Sequence, residues 1–186
     1  MAADGSAPRP HSTRRPHRFC PACGAGLVER AVESRLLGAC PDCDFVAFHD
    51  PKVVAVTALL EDGGVWLIRR GIEPRLGEWA LPGGYVDYEE HPKTAAAREC
   101  LEEIGCEVAV ERLLGVHHAT FGNGGVVIVA YSGRIVAGRP RPGPEALEVA
   151  RFGAAELPPL AFHTHDEILA ALFGDSLADA QRPPGH

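Results

Sequence analysis

"LPGGYVDYEEHPKTAAARECLEEIGC", residues 81–106, runs from a glycine pair through a helical pattern to a further glycine. Pro92 suits the first position of a helix, His91 stands as an unusual N-cap, and Gly105 is placed to end it. At about 100° per residue, Ala96, Ala97, Cys100, Leu101 and Ile104 share one arc, while Glu99, Glu102 and Glu103 occupy the opposite side. Spacings of three and four set Glu99 beside both other glutamates, and each like-charge pair costs roughly 0.2–0.5 kcal/mol. Arg98, four residues before Glu102, relieves part of that repulsion. Taken alone, the segment reads either as a solvated acidic face or as a set of hard oxygen donors, the kind Mg2+ takes together with water and substrate phosphates.

The wider spacing decides between the two. Gly84 is followed by five residues and Glu90, then by seven residues and "RECLEEIGC". This fits Gx5Ex7REUxEExGU, where U is apolar; every fixed position is present, and Cys100 and Cys106 fill apolar slots as small hydrophobes. The segment resembles the Nudix box of the Nudix hydrolases, and the resemblance extends over roughly residues 51–173. It implies an α/β fold, an α/β/α sandwich around a mixed sheet with the box as loop, helix and loop. It also implies that Glu99, Glu102 and Glu103 hold Mg2+ or Mn2+, with a backbone carbonyl near Gly83 or Gly84 completing the set. Arg98 would orient a glutamate through an ion pair, and Glu90 would support the box or contact a water-bound cation. The implied substrates are nucleoside diphosphates linked to another group X, cleaved by water with no covalent enzyme intermediate. The general base stays open between Glu99 and a glutamate on a later loop, where "PGPEALEVARF" offers Glu145 and Glu148 just before a strand.

Outward from this segment, "KVVAVTALL" and "VWLIRR" are β-branched runs separated by "EDGG" and read as a hairpin. "RLLGVHHATF" and "VVIVAYSGRIV" read as two more strands around the turn signal "GNGG", and "EVARFGA" as a further short one. "THDEILAALF" reads as a closing amphipathic helix with Thr164 as N-cap. Adjacent strand residues point to opposite faces, so His117 and His118 cannot share a pocket, and neither is assigned a role. Trp79, in "GEWALPGG", either stacks a base or fills the core.

Nearer the N-terminus, Cys20, Cys23, Cys40 and Cys43 form C-x2-C-x16-C-x2-C, two knuckles whose thiolates converge on a tetrahedral four-sulfur shell that favours zinc. Such a shell leaves no position for water, so the zinc would be structural. Residues 19–50, with few apolar side chains, would depend on it for their fold. A redox dithiol or scattered buried cysteines are the rival readings, but redox pairs are usually single and lie beside a strand–helix unit. Residues 1–18, rich in Pro and Arg, read as a disordered tail, and residues 174–186 as a flexible one. The expected organisation is therefore tail, zinc ribbon, catalytic domain at 51–173, and tail.

A formal charge of -7 gives no global electrostatic reason to bind nucleic acid, and no apolar run is long enough to span a bilayer. With no export signal legible, the expected location is cytoplasmic. A homodimer is compatible with the sequence but not indicated by it. A zinc ribbon joined to a Nudix domain resembles the NADH pyrophosphatases, yet their downstream "SQPWPFPxS" signature is absent. "GPEALEVARFGAAELPPLAF" instead resembles zinc-ribbon relatives that act on ADP-ribose and FAD. The expected order of substrates is ADP-ribose, FAD, NADH. The rival class is a binding protein for nucleic acid or a regulatory ligand that keeps this fold without catalysis.

Overall fold

The computed structural model describes residues 17–121 and 124–174. The tails read at 1–18 and 174–186 therefore lie, apart from His17, Arg18 and Gly174, outside the described residues. The chain divides into two compact units, one carrying the ribbon and the other the large sheet.

In the ribbon unit, β1 (Val28–Val32) and β2 (Arg35–Ala39) form an antiparallel hairpin. The pairing runs from Val28 opposite Ala39 to Val32 opposite Arg35. Each cysteine pair sits on a tight backbone turn: the Gly24 amide donates to the Cys20 carbonyl at 2.9 Å, and the Cys40 amide to Phe45 at 2.9 Å. Arg18 belongs to this unit, since its carbonyl accepts from the Leu27 amide at 3.0 Å. The His17 ring meets Phe45 edge-on at 6.4 Å.

The second unit is built on β3 (Lys52–Glu61) and β4 (Gly64–Arg70), joined by the expected hairpin. Its two turn residues, Asp62 and Gly63, both have positive φ (46° and 75°), the geometry that matches the twist of a two-residue hairpin. The sheet runs β5 (Trp79–Ala80), β4, β3, β8 (Gly124–Gly138), β7 (Cys106–Phe121), with β6 (Gly83–Tyr85) also on β3 and β9 (Ala146–Gly153) on β4. β3 and β8 are parallel, from Lys52 opposite Val126 to Leu59 opposite Gly133, whereas β3 with β4 and β4 with β9 are antiparallel. The sheet is thus mixed, as expected.

Residues Ala55–Leu59 of β3 are all buried, so side chains pointing to either face are covered and the strand reads as a continuous apolar run. Helix α1 (Pro92–Ile104) packs on the face of Ala55, Thr57 and Leu59. Ala95 and Ala96 join the cluster of Ala55, and Cys100 and Ile104 that of Leu59. Both box cysteines serve as buried apolar packing. His91 caps α1, its Nδ1 accepting from the Lys93 amide at 3.1 Å, and Gly105 ends it in the left-handed conformation.

Two expectations are corrected. Leu101 is 52% exposed, whereas Glu103 is only 6% exposed, so the buried arc of α1 is rotated toward the acidic side. The cause is a partner that helical periodicity does not reveal, a main-chain amide waiting for the Glu103 carboxylate. Helix α2 (His163–Phe173) has Phe162 at its N-cap with no capping side chain, and Thr164 lies buried inside its first turn. The N-cap falls two residues earlier than expected, and Ile168 and Leu169 fix the helix's buried side.

Candidate active site

Glycine residues bring the acidic helix against the sheet. A Cβ on Gly83 would collide with the Ala55 carbonyl and fall 2.7 Å from the Val56 Cα, and one on Gly84 would fall 2.5 Å from the Glu99 carboxylate. These residues pair with β3, Ala55 opposite Gly84 and Val56 opposite Gly83. The Gly83 amide then donates to Glu103 Oε2 at 2.8 Å.

Arg98 organises the remaining carboxylates. Its Nε and one terminal nitrogen hold Glu90 at 3.0 and 2.8 Å, and the other terminal nitrogen holds Glu99 at 2.7 Å and Glu102 at 3.3 Å. It also donates to the Tyr85 carbonyl at 3.0 Å. Hydrogen bonding to Arg98 holds the Glu90 carboxyl below its ordinary range. Burial pushes the Glu103 carboxyl up to about 8; the charges of Glu99 and Glu145 add to that shift, and the Gly83 amide and Arg70 oppose it. Burial likewise raises Glu99, against the pull of Arg98. The side chain of Glu102 is more than half exposed. The glutamates therefore divide on one helix: Glu103 turns inward to an amide, while Glu99 and Glu102 meet Arg98, Glu102 at the solvent edge.

The later glutamates separate. Glu145 lies just before β9 on a loop tied to the end of α1: the Arg141 amide donates to the Ile104 carbonyl at 3.0 Å and the Gly143 amide to the Glu103 carbonyl at 2.9 Å. The Glu145 carbonyl accepts from the Gly71 amide at 2.8 Å, and its charge acts on Glu99, Glu103 and Arg70. Glu148, expected ahead of the strand, lies within β9 opposite Arg69 and pairs with it at 3.8 Å. The strand starts at Ala146, so Glu148 is held in the ladder and not on a loop.

Trp79 is partly buried, edge-on to Phe152 at 4.9 Å. His117 is half-buried, with Nδ1 3.3 Å from Glu167, and His118 is exposed, the alternation expected of a strand.

Two residues were not picked out from the sequence. Arg70 ends β4 half-buried, with Nε donating to the Pro74 carbonyl at 2.8 Å and its guanidinium over the Phe162 ring at 5.3 Å. Burial depresses its pKa, and Glu103 and Glu145 oppose the shift. The signal was the second arginine of "VWLIRR", a charge at the end of a buried strand. His165 is buried with Nδ1 accepting from the Leu81 amide at 3.1 Å. Nothing in "FHTHDE" distinguishes it from a helix start.

The cysteines form a second set of donors. Cys20 and Cys43 Sγ are 3.6 Å apart, Cys23 and Cys40 3.4 Å, and all four lie within 4.8 Å of one another. Zinc–sulfur bonds of about 2.3 Å in a tetrahedron separate the sulfurs by about 3.8 Å, so the set fits that ion. The Phe45 amide favours the Cys43 thiolate, yet the sulfurs of Cys40 and Cys20 push the Cys43 thiol up to about 12, a repulsion that a cation removes. Among the described residues this is the one gathered group of three or more metal-type ligands. The glutamates are not drawn together in this way. Their chemistry nonetheless fits a hard cation: half-buried and buried carboxylates beside glycines that leave room at the main chain.

Residues 50–172 match the family model described as NUDIX domain. The chain belongs to the Nudix family. Among its relatives, the ADP-ribose pyrophosphatase of Methanocaldococcus jannaschii is 35% identical over 119 residues, 62% of this chain and 70% of that protein. The mitochondrial NAD(P)H pyrophosphatase NUDT13 of Homo sapiens is 26% identical over 156 residues, 84% of this chain but 41% of that protein. The crystal structure of a NUDIX hydrolase from Nitrosomonas europaea superposes with a TM-score of 0.77 at 28% identity, covering 91% of this chain and 97% of that one. The chain is a Nudix hydrolase with pyrophosphatase relatives and a cysteine cluster compatible with a zinc ribbon. No helix among the described residues is long and apolar enough to cross a membrane.

Proposed function

We propose that the chain hydrolyses the diphosphate bond of nucleoside diphosphate-X compounds in a Mg2+-dependent reaction, with ADP-ribose first and FAD second, releasing AMP. The observation that carries this reading is the buried Glu103, fixed by the Gly83 amide beside Glu99 and Glu102 on the same turn of α1. Glu99, Glu102 and Glu103 would hold Mg2+ or Mn2+, with the Gly84 main chain alongside. When bound, that ion neutralises the diphosphate oxygens and lowers the pKa of the attacking water. Arg98 holds the Glu99 and Glu102 carboxylates in place before substrate arrives. Arg70, half-buried and within the field of Glu103 and Glu145, would meet a substrate phosphate. Glu145 is the favoured base: it would take the proton from water as a P–O anhydride bond breaks, giving AMP and ribose 5-phosphate from ADP-ribose. Trp79 is the residue available to stack a base. The cysteines would hold one structural Zn2+ and take no part in the chemistry.

A second reading, NADH or NAD cleavage, is favoured by the cysteine cluster together with the resemblance to the human NAD(P)H pyrophosphatase. One experiment separates the possibilities: incubation with Mg2+ and, in turn, ADP-ribose, FAD, NADH, NAD, diadenosine polyphosphates and nucleoside triphosphates, with product identification. AMP from ADP-ribose at the highest kcat/KM is expected. Cleavage of NADH alone selects the second reading, and triphosphate cleavage alone sinks both. Binding of nucleic acid with no Mg2+-dependent phosphate release would instead make the chain a non-catalytic member of the fold.

A further inference from the structure

We propose that His165 is a positioning residue for the carboxylate site, acting through the Leu81 amide to hold the turn Leu81–Gly84 in place against Glu103. The inference rests on the reading of Glu103 as a metal ligand.

Three consecutive residues of this turn are gripped from three directions. His165, on α2, accepts the Leu81 amide at Nδ1 (3.1 Å). The Pro82 carbonyl accepts from the Thr57 amide of β3 at 2.9 Å. The Gly83 amide donates to Glu103 of α1 at 2.8 Å. Pro82 has no amide to donate, so Leu81 carries the last N–H before Gly83. Leu81 is 2% exposed, and a buried amide left without an acceptor costs about 1–3 kcal/mol. Removing the acceptor therefore drives the turn to move, and the Gly83 amide moves with it.

The side chain suits this task. With Nδ1 accepting, the proton of the neutral ring sits on Nε2. Burial, helped by the charges of Arg70 and His117, holds the pKa of His165 down to about 3, so the acceptor persists across the working range of pH. The ring is kept in orientation by Phe162, which meets it edge-on at 5.2 Å. Leucine would fill the same space and satisfy nothing. Residues that orient metal-binding groups from behind typically cost 10–100-fold in metal affinity or activity when replaced.

His165→Asn and His165→Gln test the inference together. Asparagine Oδ1 occupies the position of Nδ1, whereas the glutamine amide lies one bond further out, nearer Nε2. A purely space-filling role ranks the larger glutamine above asparagine; an acceptor role ranks asparagine first. The readouts are kcat and KM on the substrate identified above, Mn2+ affinity by electron paramagnetic resonance without substrate, and hydrogen exchange of the Leu81 and Gly83 amides without metal. Expected for His165→Gln are a roughly 10–100-fold loss in Mn2+ affinity and kcat, a nearly unchanged KM, and faster exchange at both amides. His165→Asn should retain most of each. Wild-type behaviour in His165→Gln, or equal loss in both variants, overturns the inference. So does a nitrogen NMR spectrum of the unaltered protein that puts the proton on Nδ1, a measurement that needs no variant to fold. Glu103→Gln in the same series keeps the two readings apart. If it retains wild-type Mn2+ affinity and turnover, the site itself has been misread; if it loses both while His165→Gln loses neither, only the positioning role fails.

Discussion

The cysteines and the glutamates are two sets of metal-type donors built in opposite ways. Each cysteine pair rides on a short turn of its own, and a hairpin between the pairs brings the four sulfurs within 4.8 Å. The glutamates sit close together on one helix, yet their carboxylates diverge, Glu103 to the Gly83 amide and Glu99 and Glu102 to Arg98 at the solvent edge. Converging thiolates make a closed shell for a soft ion that stays, and diverging carboxylates make an open edge for a hard ion that arrives with water and phosphate. Local sequence spacing suffices for the first, while the second also depends on segments far along the chain.

The largest expected effect tests the closed set. Cys40→Ser should release zinc and unfold residues 19–50, since apparent binding free energies at such sites are about 10–16 kcal/mol. The second unit should keep its fold and at least part of its Mg2+-dependent turnover. Metal analysis should find about one zinc per chain that survives mild EDTA, while EDTA abolishes activity and Mg2+ alone restores it. Activity restored by zinc alone would break the contrast between the two sets.

Glu103→Gln, which keeps size and removes charge, should lower turnover by about 10³-fold, as expected if a metal contributes several kcal/mol to the transition state. Glu145→Gln should cost about 10²-fold in kcat at saturating Mg2+, the lower end for a general base, with little change in metal affinity. A comparable loss in Glu99→Gln under the same conditions would move the base to the helix.

A smaller effect is expected on stability. Because burial raises the Glu103 carboxyl from its ordinary 4.5 to about 8, the folded chain keeps a proton there that the unfolded chain releases. In EDTA its contribution is full below about pH 4.5 and is lost as pH rises through about 8. Thermal unfolding at pH 5, 7 and 9 should show a decline that Glu103→Gln flattens and Mg2+ offsets at the upper end. A wild type and variant with parallel profiles would contradict the burial of this carboxyl.

Glu148→Gln should do least. Its pair with Arg69 is exposed and worth at most about 1 kcal/mol, and turnover should stay at the wild-type level.

The parts of the molecule legible in its sequence are those fixed by short-range rules. The Asp62–Gly63 turn, the Pro92 and Gly105 ends of α1 and the two cysteine knuckles each depend on residues a few positions apart. Glu103 and Leu101 were misjudged because helical periodicity counts a glutamate as polar wherever it falls, and the Gly83 amide that draws it inward lies on another element. Thr164 was misjudged for a related reason: a side chain suited to capping was taken up by the interior instead. Arg70 and His165 escaped notice because their partners, Phe162 and Leu81, are distant in sequence and carry no pattern of their own.

Glu103 is held at both ends, its carboxylate by Gly83 upstream and its carbonyl by Gly143 well downstream. This has a consequence for synthesis. A ribosome that has released residues 81–106 has delivered the whole signature but only one of these anchors, and α1 lacks the loop that closes over its last carbonyls. Contacts of such long sequence separation form only after the entropy of closing the intervening chain has been met. Catalytic competence should therefore be acquired late, as β9 joins the sheet, and a nascent chain arrested before Gly143 should carry the complete motif without a working site.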